Sequence, residues 1–188
     1  MQARFFQFNT HTNQMPPDDE QVLNDRDSHW LRQAFVWANA ARIRGNRPFG
    51  AIIVSANDRI LAEAFSNTQE SGDCTGHAEL NAVRQLSTAR LSSDVVSGAT
   101  LYSSAEPCVM CASAMCAAGL RRVVYGLDWP RLQAIRPDLR SNQLSCHDVF
   151  ANAADAVDAV DCQGPCLVDE ALAVYEDSWF SPEDKHGA

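Results

Sequence analysis

From residue 28 onward the chain switches between two hydrophobic periods, and the first of them is helical. Between Ser28 and Arg44, the residues Trp30, Leu31, Ala34, Phe35, Ala38 and Ala41 recur at helical steps behind Asp27 or Ser28 as a cap, which predicts a first helix. "PFGAIIVSANDRILAEAFSN" then holds two short β-rich runs separated by Ala-Asn-Asp, which predicts a hairpin. Its first run is apolar throughout, as in a strand covered on both faces. Thr75 is placed to cap a helix that reaches about Leu86, with Leu80, Val83 and Leu86 on one side. "GATLYSSA" (98–105) reads as a strand running into Pro107, a residue favoured in the first turn of a helix. That helix covers 108–118 and stops at Gly119. A strand at 121–127 and a short helix at 129–135 follow.

Beyond Arg136 the pattern is weaker. It suggests a strand within 141–150, a turn over 161–165 and a last helix over 167–179. Residues 1–27 are polar and aperiodic, with "MPPDDE" in the middle, and are expected to form an N-terminal arm. No Gly-, Ser- or Pro-rich linker divides 28–188, which is expected to be a single domain. The alternation of strands and helices predicts an α/β layered domain with a largely parallel half-sheet.

Composition narrows the partners. The 188 residues carry a net charge of −9, with 24 acidic and 15 basic side chains, and Lys185 is the sole lysine. Residues 148–184 contain no lysine or arginine. A phosphate-backbone binder needs a basic stripe, so no nucleic acid partner is expected. The longest apolar runs are too short to span a bilayer, so no membrane partner is expected either. The N-terminus lacks the apolar core of an export signal, and the odd count of seven cysteines fits a reducing compartment, so the expected location is cytoplasmic.

Two short stretches carry the candidate chemistry. "TGHAEL" (75–80) sets His77 and Glu79 two positions apart, and "EPCVMC" (106–111) sets Cys108 and Cys111 three apart behind Pro107. Two cysteines at that spacing and a histidine from another element make three corners of a tetrahedral zinc site, with a fourth position open to water. Placed at helix starts, these side chains meet unpaired N–H groups that favour thiolate. Glu79 would stand beside the ion without binding it and act as general acid and base. The competing interpretation is a closed structural zinc knot, with Cys74 or Cys116 as the fourth ligand. Cys162 and Cys166, in "CQGPC", read as ordinary thiols, with a second metal site or a disulfide as the alternatives, and His147 has no partner pattern.

"HAE" and "PCVMC", together with "NRPFGAIIV", "SN" at 66–67 and "RRVVYG", make the chain resemble the cytidine deaminase superfamily of zinc enzymes. The likeness runs from about Trp30 to Asp128, and it is greatest to the small bacterial guanine deaminases. It implies a three-layer α/β/α sandwich around a mixed five-stranded sheet, and a homodimer with the active site at its interface. It also implies one zinc ion per chain with bound water, and hydrolytic release of ammonia from a free nucleobase, guanine first. Residue by residue, the resemblance implies that Asn67 and the N–H of Ala78 contact the substrate. The tryptophan that some members carry six residues after the second cysteine is replaced by Ala117, so Phe49, Trp129 or a tail aromatic such as Tyr175 must stack on the ring. The same likeness implies a second proton shuttle, at Gln143 in preference to Asp138, and a C-terminal tail lying over the site.

Overall fold

The computed structural model describes residues 20–137, 139, 144–153 and 159–176. The first element, α1 (Asp25–Ile43), takes in the last three residues of the expected arm, because Asn24 and not Asp27 is its cap: the Asn24 side chain accepts from the Asp27 N–H. Asp27 is instead the centre of a buried ion network. Both of its oxygens accept from Arg122, at 2.8 Å each, and Oδ1 also accepts from the Tyr102 hydroxyl at 2.6 Å. Burial alone would raise this carboxyl, but the bonds from Arg122, Tyr102 and Asn24 outweigh it and hold Asp27 below the ordinary aspartate range.

A mutation of this network has a calculable consequence. Asp27→Asn leaves Arg122 and Tyr102 short of an acceptor, and is expected to cost about 2–4 kcal/mol in denaturant unfolding at neutral pH. Because the folded-state value is depressed, this stabilisation is present above the unfolded carboxylate value of about 3.9 and is lost as pH falls through the lower folded one. The gap between wild type and variant should therefore close on acidification. A gap unchanged from pH 6 to 2 would show that the charge of Asp27 is not what matters.

The sheet runs in the order β2-β1-β3-β4-β5. Strands β1 (Gly50–Val54) and β2 (Ile60–Phe65) form the expected hairpin, and β1 pairs antiparallel with β3 (Thr100–Ala105). Strand β3 pairs parallel with β4 (Arg122–Leu127), and β4 with β5 (Asp161–Gln163). The sheet is thus mixed and five-stranded, with helices on both faces. Along β1, Ile52 and Val54 point into one core with Leu31, Phe35 and Tyr102, while Ala51 and Ile53 point into the other with Ala82, Leu101 and Met115. Each of the fully buried Ile52, Ile53 and Val54 contributes about 1.5–3 kcal/mol. Gly50 is required at the start of β1, since a Cβ there would run into the backbone of α1 at Ala34 and Ala38.

On one face lie α1 and α8 (Val168–Glu176); on the other lie α3 (Ala78–Thr88), α5 (Val109–Ala118) and α7 (Cys146–Ala151). Short helices α2 (Thr68–Ser71), α4 (Ser93–Ser97) and α6 (Trp129–Ile135) fill the connections. Three expectations are corrected. Helix α3 starts after His77 rather than at Thr75, whose hydroxyl donates to Asp73. The strand expected within 141–150 is helix α7, because Ser145 and Asp148 form a reciprocal capping box that starts a helix. The turn expected over 161–165 is confined to Gly164 and Pro165, and 161–163 form the fifth strand.

Candidate active site

The site is built where two helices begin. His77 is the N-cap of α3 and Cys108 the N-cap of α5, and neither side chain caps its own helix. Both are free to turn towards a common point. Cys111, one turn into α5, is fully buried beside them. The Cys108 and Cys111 sulfurs lie 3.6 Å apart, and His77 Nδ1 lies 3.6 Å from Cys108 and 3.7 Å from Cys111.

Zinc fits this triangle. Bonds of about 2.3 Å to sulfur and 2.0–2.1 Å to nitrogen at tetrahedral angles place sulfurs about 3.8 Å apart and sulfur and nitrogen about 3.6 Å apart. The Cys108 thiol is drawn down to about 4, first by its hydrogen bond from Cys111 and then by His77, which makes it a thiolate ligand at neutral pH. Its bond to Cys108 raises His77. Among the described residues no fourth ligand joins the cluster: Cys74 is exposed, and neither it nor Cys116 belongs to a metal-competent group. The cluster thus offers three ligands among the described residues, one fewer than a closed zinc knot needs.

Glu79 is the second residue of α3 and only 6% exposed. Ser103, on β3, donates to Oε1 at 3.2 Å, and Oε2 lies 3.7 Å from Cys111 Sγ. Burial first, and the negative Cys108 second, push its carboxyl above the ordinary glutamate range. A carboxylate held this way takes and returns protons near neutrality more readily than an exposed one.

These groups open onto a cavity of about 230 Å³. Phe49 and Trp129 line it with His77, Glu79 and Cys108. Ala78 opens α3 and is fully buried, and its N–H, in the first turn, has no intrahelical partner. Asn67 is not on the cavity wall; its Oδ1 accepts from Asn81 Nδ2 at 2.9 Å. Tyr175 is not there either. Its ring is fully buried 5.9 Å behind Phe49, and its hydroxyl donates to Ser104 Oγ, so it backs the wall instead of forming it. Gln143, Asp138 and the tail from residue 177, including Trp179 and Phe180, lie outside the described residues.

The walls include residues to which the sequence assigned no role in the site: Arg47, Ser66, Thr68, Glu106 and Leu139. Thr68 Oγ1 is buried with no hydrogen-bond partner, and the exposed Arg47 side chain makes no hydrogen bond or ion pair among the described residues. Thr68 follows the "SN" that drew attention to Asn67, so its neighbourhood was visible and its orientation was not. Glu106 accepts from the N–H groups of Trp129 and Cys146, and so fixes one aromatic wall.

A mixed five-stranded α/β sheet that offers a Cys₂His triangle and a buried glutamate at two helix starts defines a zinc-dependent deaminase fold and site. Residues 24–127 match the family model of the cytidine and deoxycytidylate deaminase zinc-binding region, and the chain belongs to that family. It is 34% identical over 161 residues to a probable cytosine deaminase of Schizosaccharomyces pombe, covering 84% of this chain and 94% of that one. It is 35% identical over 136 residues to the tRNA-specific adenosine deaminase of Agrobacterium fabrum, covering 70% and 88%. Among solved structures, the guanine deaminase of Nitrosomonas europaea superposes with a TM-score of 0.65 over 92% of this chain and 98% of that one, at 18% identity. No described helix is long and apolar enough to cross a membrane.

Proposed function

We propose that the chain hydrolytically deaminates a free nucleobase, guanine first, giving xanthine and ammonia. The observation that carries this reading is the composition of one cavity. It joins the His77, Cys108 and Cys111 cluster and Glu79 to two aromatic walls and to two donors without partners among the described residues, Thr68 and Arg47. At about 230 Å³ it lies below the roughly 300–1,000 Å³ typical of drug-sized ligands, which suits one base.

One zinc ion held by His77 Nδ1, Cys108 and Cys111 would lower the pKa of a water in its fourth position towards 7. The protein's own residues account for the rest. Phe49 and Trp129 hold the ring flat, with the amine-bearing carbon facing the cluster. Glu79 takes one proton from the attacking water and passes it to the ring nitrogen next to that carbon, then takes the second proton from the new hydroxyl on that carbon and delivers it to the departing amine, so that base plus water becomes oxo-base plus ammonia. Ser103 keeps the carboxylate aimed during both transfers. Thr68 and Arg47 donate to the oxo edge of the base.

Thr68→Val tests that last role. Losing one donor to the substrate should lower kcat/KM about tenfold. Removing a buried unpaired hydroxyl should leave stability unchanged or slightly raised. Lower stability with unaltered kinetics would make Thr68 a packing residue only.

Cytosine is the second reading, favoured by the yeast relative named above and by an oxo group that the same donors can reach. A tRNA substrate fits less well with a chain of net charge −9 whose residues 148–184 carry no lysine or arginine. The proposal includes a homodimer, to be checked as a particle twice the 20.6 kDa chain in light scattering. The deciding experiment is ammonia release by zinc-replete protein from guanine, cytosine, adenine, cytidine and a tRNA anticodon stem-loop at equal concentration. Guanine should lead; a lead for cytosine or for the RNA would replace it.

A further inference from the structure

A second cluster of soft ligands lies away from the cavity, on the far parallel edge of the sheet. Cys146 and His147 open α7, and Cys162 is the middle residue of β5. The Cys146 and Cys162 sulfurs are 3.5 Å apart, and Cys162 Sγ is 3.6 Å from His147 Nε2. All three ligand atoms lie within 4.8 Å of one another. The two closest edges nearly repeat the 3.6 and 3.7 Å edges of the His77, Cys108 and Cys111 triangle.

Separate backbone devices fix the three. The Cys146 N–H donates to the buried Glu106 carboxylate at 3.0 Å, and the Ser145–Asp148 capping box sets the direction of α7. Cys162 is held in the parallel ladder opposite Val123. The His147 ring stands edge-on to Tyr125, whose hydroxyl lies 3.1 Å from Nε2 and keeps that nitrogen turned towards the thiols. The sequence alternative of a site on Cys162 and Cys166 is not realised: Cys162 packs with one core and Cys166 is buried in the other, across the sheet.

We propose that Cys146, His147 and Cys162 bind a second zinc ion, distinct from the catalytic one. Two thiolates and an imidazole suit zinc, and Nε2 already faces Cys162, although the Tyr125 hydroxyl against the same nitrogen has to give it up to the ion. Binding releases the two thiol protons, and the Nε2 lone pair passes from the Tyr125 hydroxyl to the ion. His147 and Cys162 line a surface cavity with Phe150 and Val160, which gives the ion a way in and leaves its fourth position facing water. The ion ties α7 to the edge strand, and its effect on the active site is indirect, through Glu106, whose other oxygen holds Trp129.

The test is zinc content after gel filtration with a weak chelator that removes surface-adsorbed ions, under reducing conditions. Wild type should hold two equivalents per chain. Cys162→Ser should hold one and keep deaminase activity within about twofold, while Cys108→Ser should hold one and be inactive. A single equivalent in wild type that vanishes in Cys108→Ser overturns the proposal, as does a Cys146–Cys162 disulfide in the zinc-loaded protein. Cobalt titration of the wild-type apoprotein makes the test independent of how the variants fold. Thiolate-to-cobalt absorbance should rise to two equivalents, and a plateau at one contradicts the second site.

Discussion

Glu79→Gln is expected to lower kcat by about 10²–10⁴ while leaving zinc content and fold unchanged. Glutamine has nearly the same shape, so it can keep the hydrogen bond from Ser103 and fill the same buried volume at the start of α3. It cannot accept and return a proton. Burial raises the carboxyl above the ordinary glutamate range, the direction expected of a group that carries protons in a closed site. Because Glu79 is not one of the three ligands, metal content measured in the same sample separates a chemical role from a structural one. A variant that turns over within a few fold of wild type removes Glu79 from the mechanism.

Cys108→Ser should lower activity by at least about 10³-fold, because it removes the ion and the water activation that the ion supplies. The thiolate here is stabilised by Cys111 and His77, whereas a serine hydroxyl stays protonated and is a poor zinc ligand. The fold should survive, since the Cys108 carbonyl, which accepts from the Ala112 N–H, is unchanged by the substitution and both cores are assembled by other residues. Far-UV circular dichroism unchanged, with catalytic zinc and ammonia release both lost, is the expected pattern. Retained activity in a zinc-poor variant would mean that Cys108 is not a ligand.

The candidate metal cluster and its neighbouring glutamate were legible in the sequence because each half of the site is local. His77 and Glu79 are two residues apart, Cys108 and Cys111 three apart, and the chemistry of each spacing carries its own meaning. The strands at 50–54, 100–105 and 122–127 were legible for a similar reason, as short apolar runs bounded by turn residues. Helix α7 was missed because its apolar residues suggested a strand, although the Ser145–Asp148 box was present to be read. Strand β5 was missed because three residues with polar Asp161 and Gln163 at the ends give no apolar periodicity; only pairing with β4 makes them a strand. The convergence of Cys146, His147 and Cys162 is a product of topology, since the parallel crossover from β4 to β5 brings α7 against the edge strand. Tyr175 shows the opposite error. Its position on a helix was foreseeable, but which face of that helix met the core depended on Ser104 and Phe49, far away in sequence.

The central claim is that this cavity performs zinc-dependent hydrolysis of a base amine, and the most direct measurement is ammonia release from guanine by one preparation in three states: as isolated, stripped by chelator, and reloaded with zinc. The account predicts stoichiometric xanthine and ammonia as isolated, loss of at least about 10³-fold on stripping, and recovery on reloading. Ammonia release that persists in the stripped protein, or the absence of release from guanine, cytosine and every other amine-bearing base when zinc is full, would contradict it.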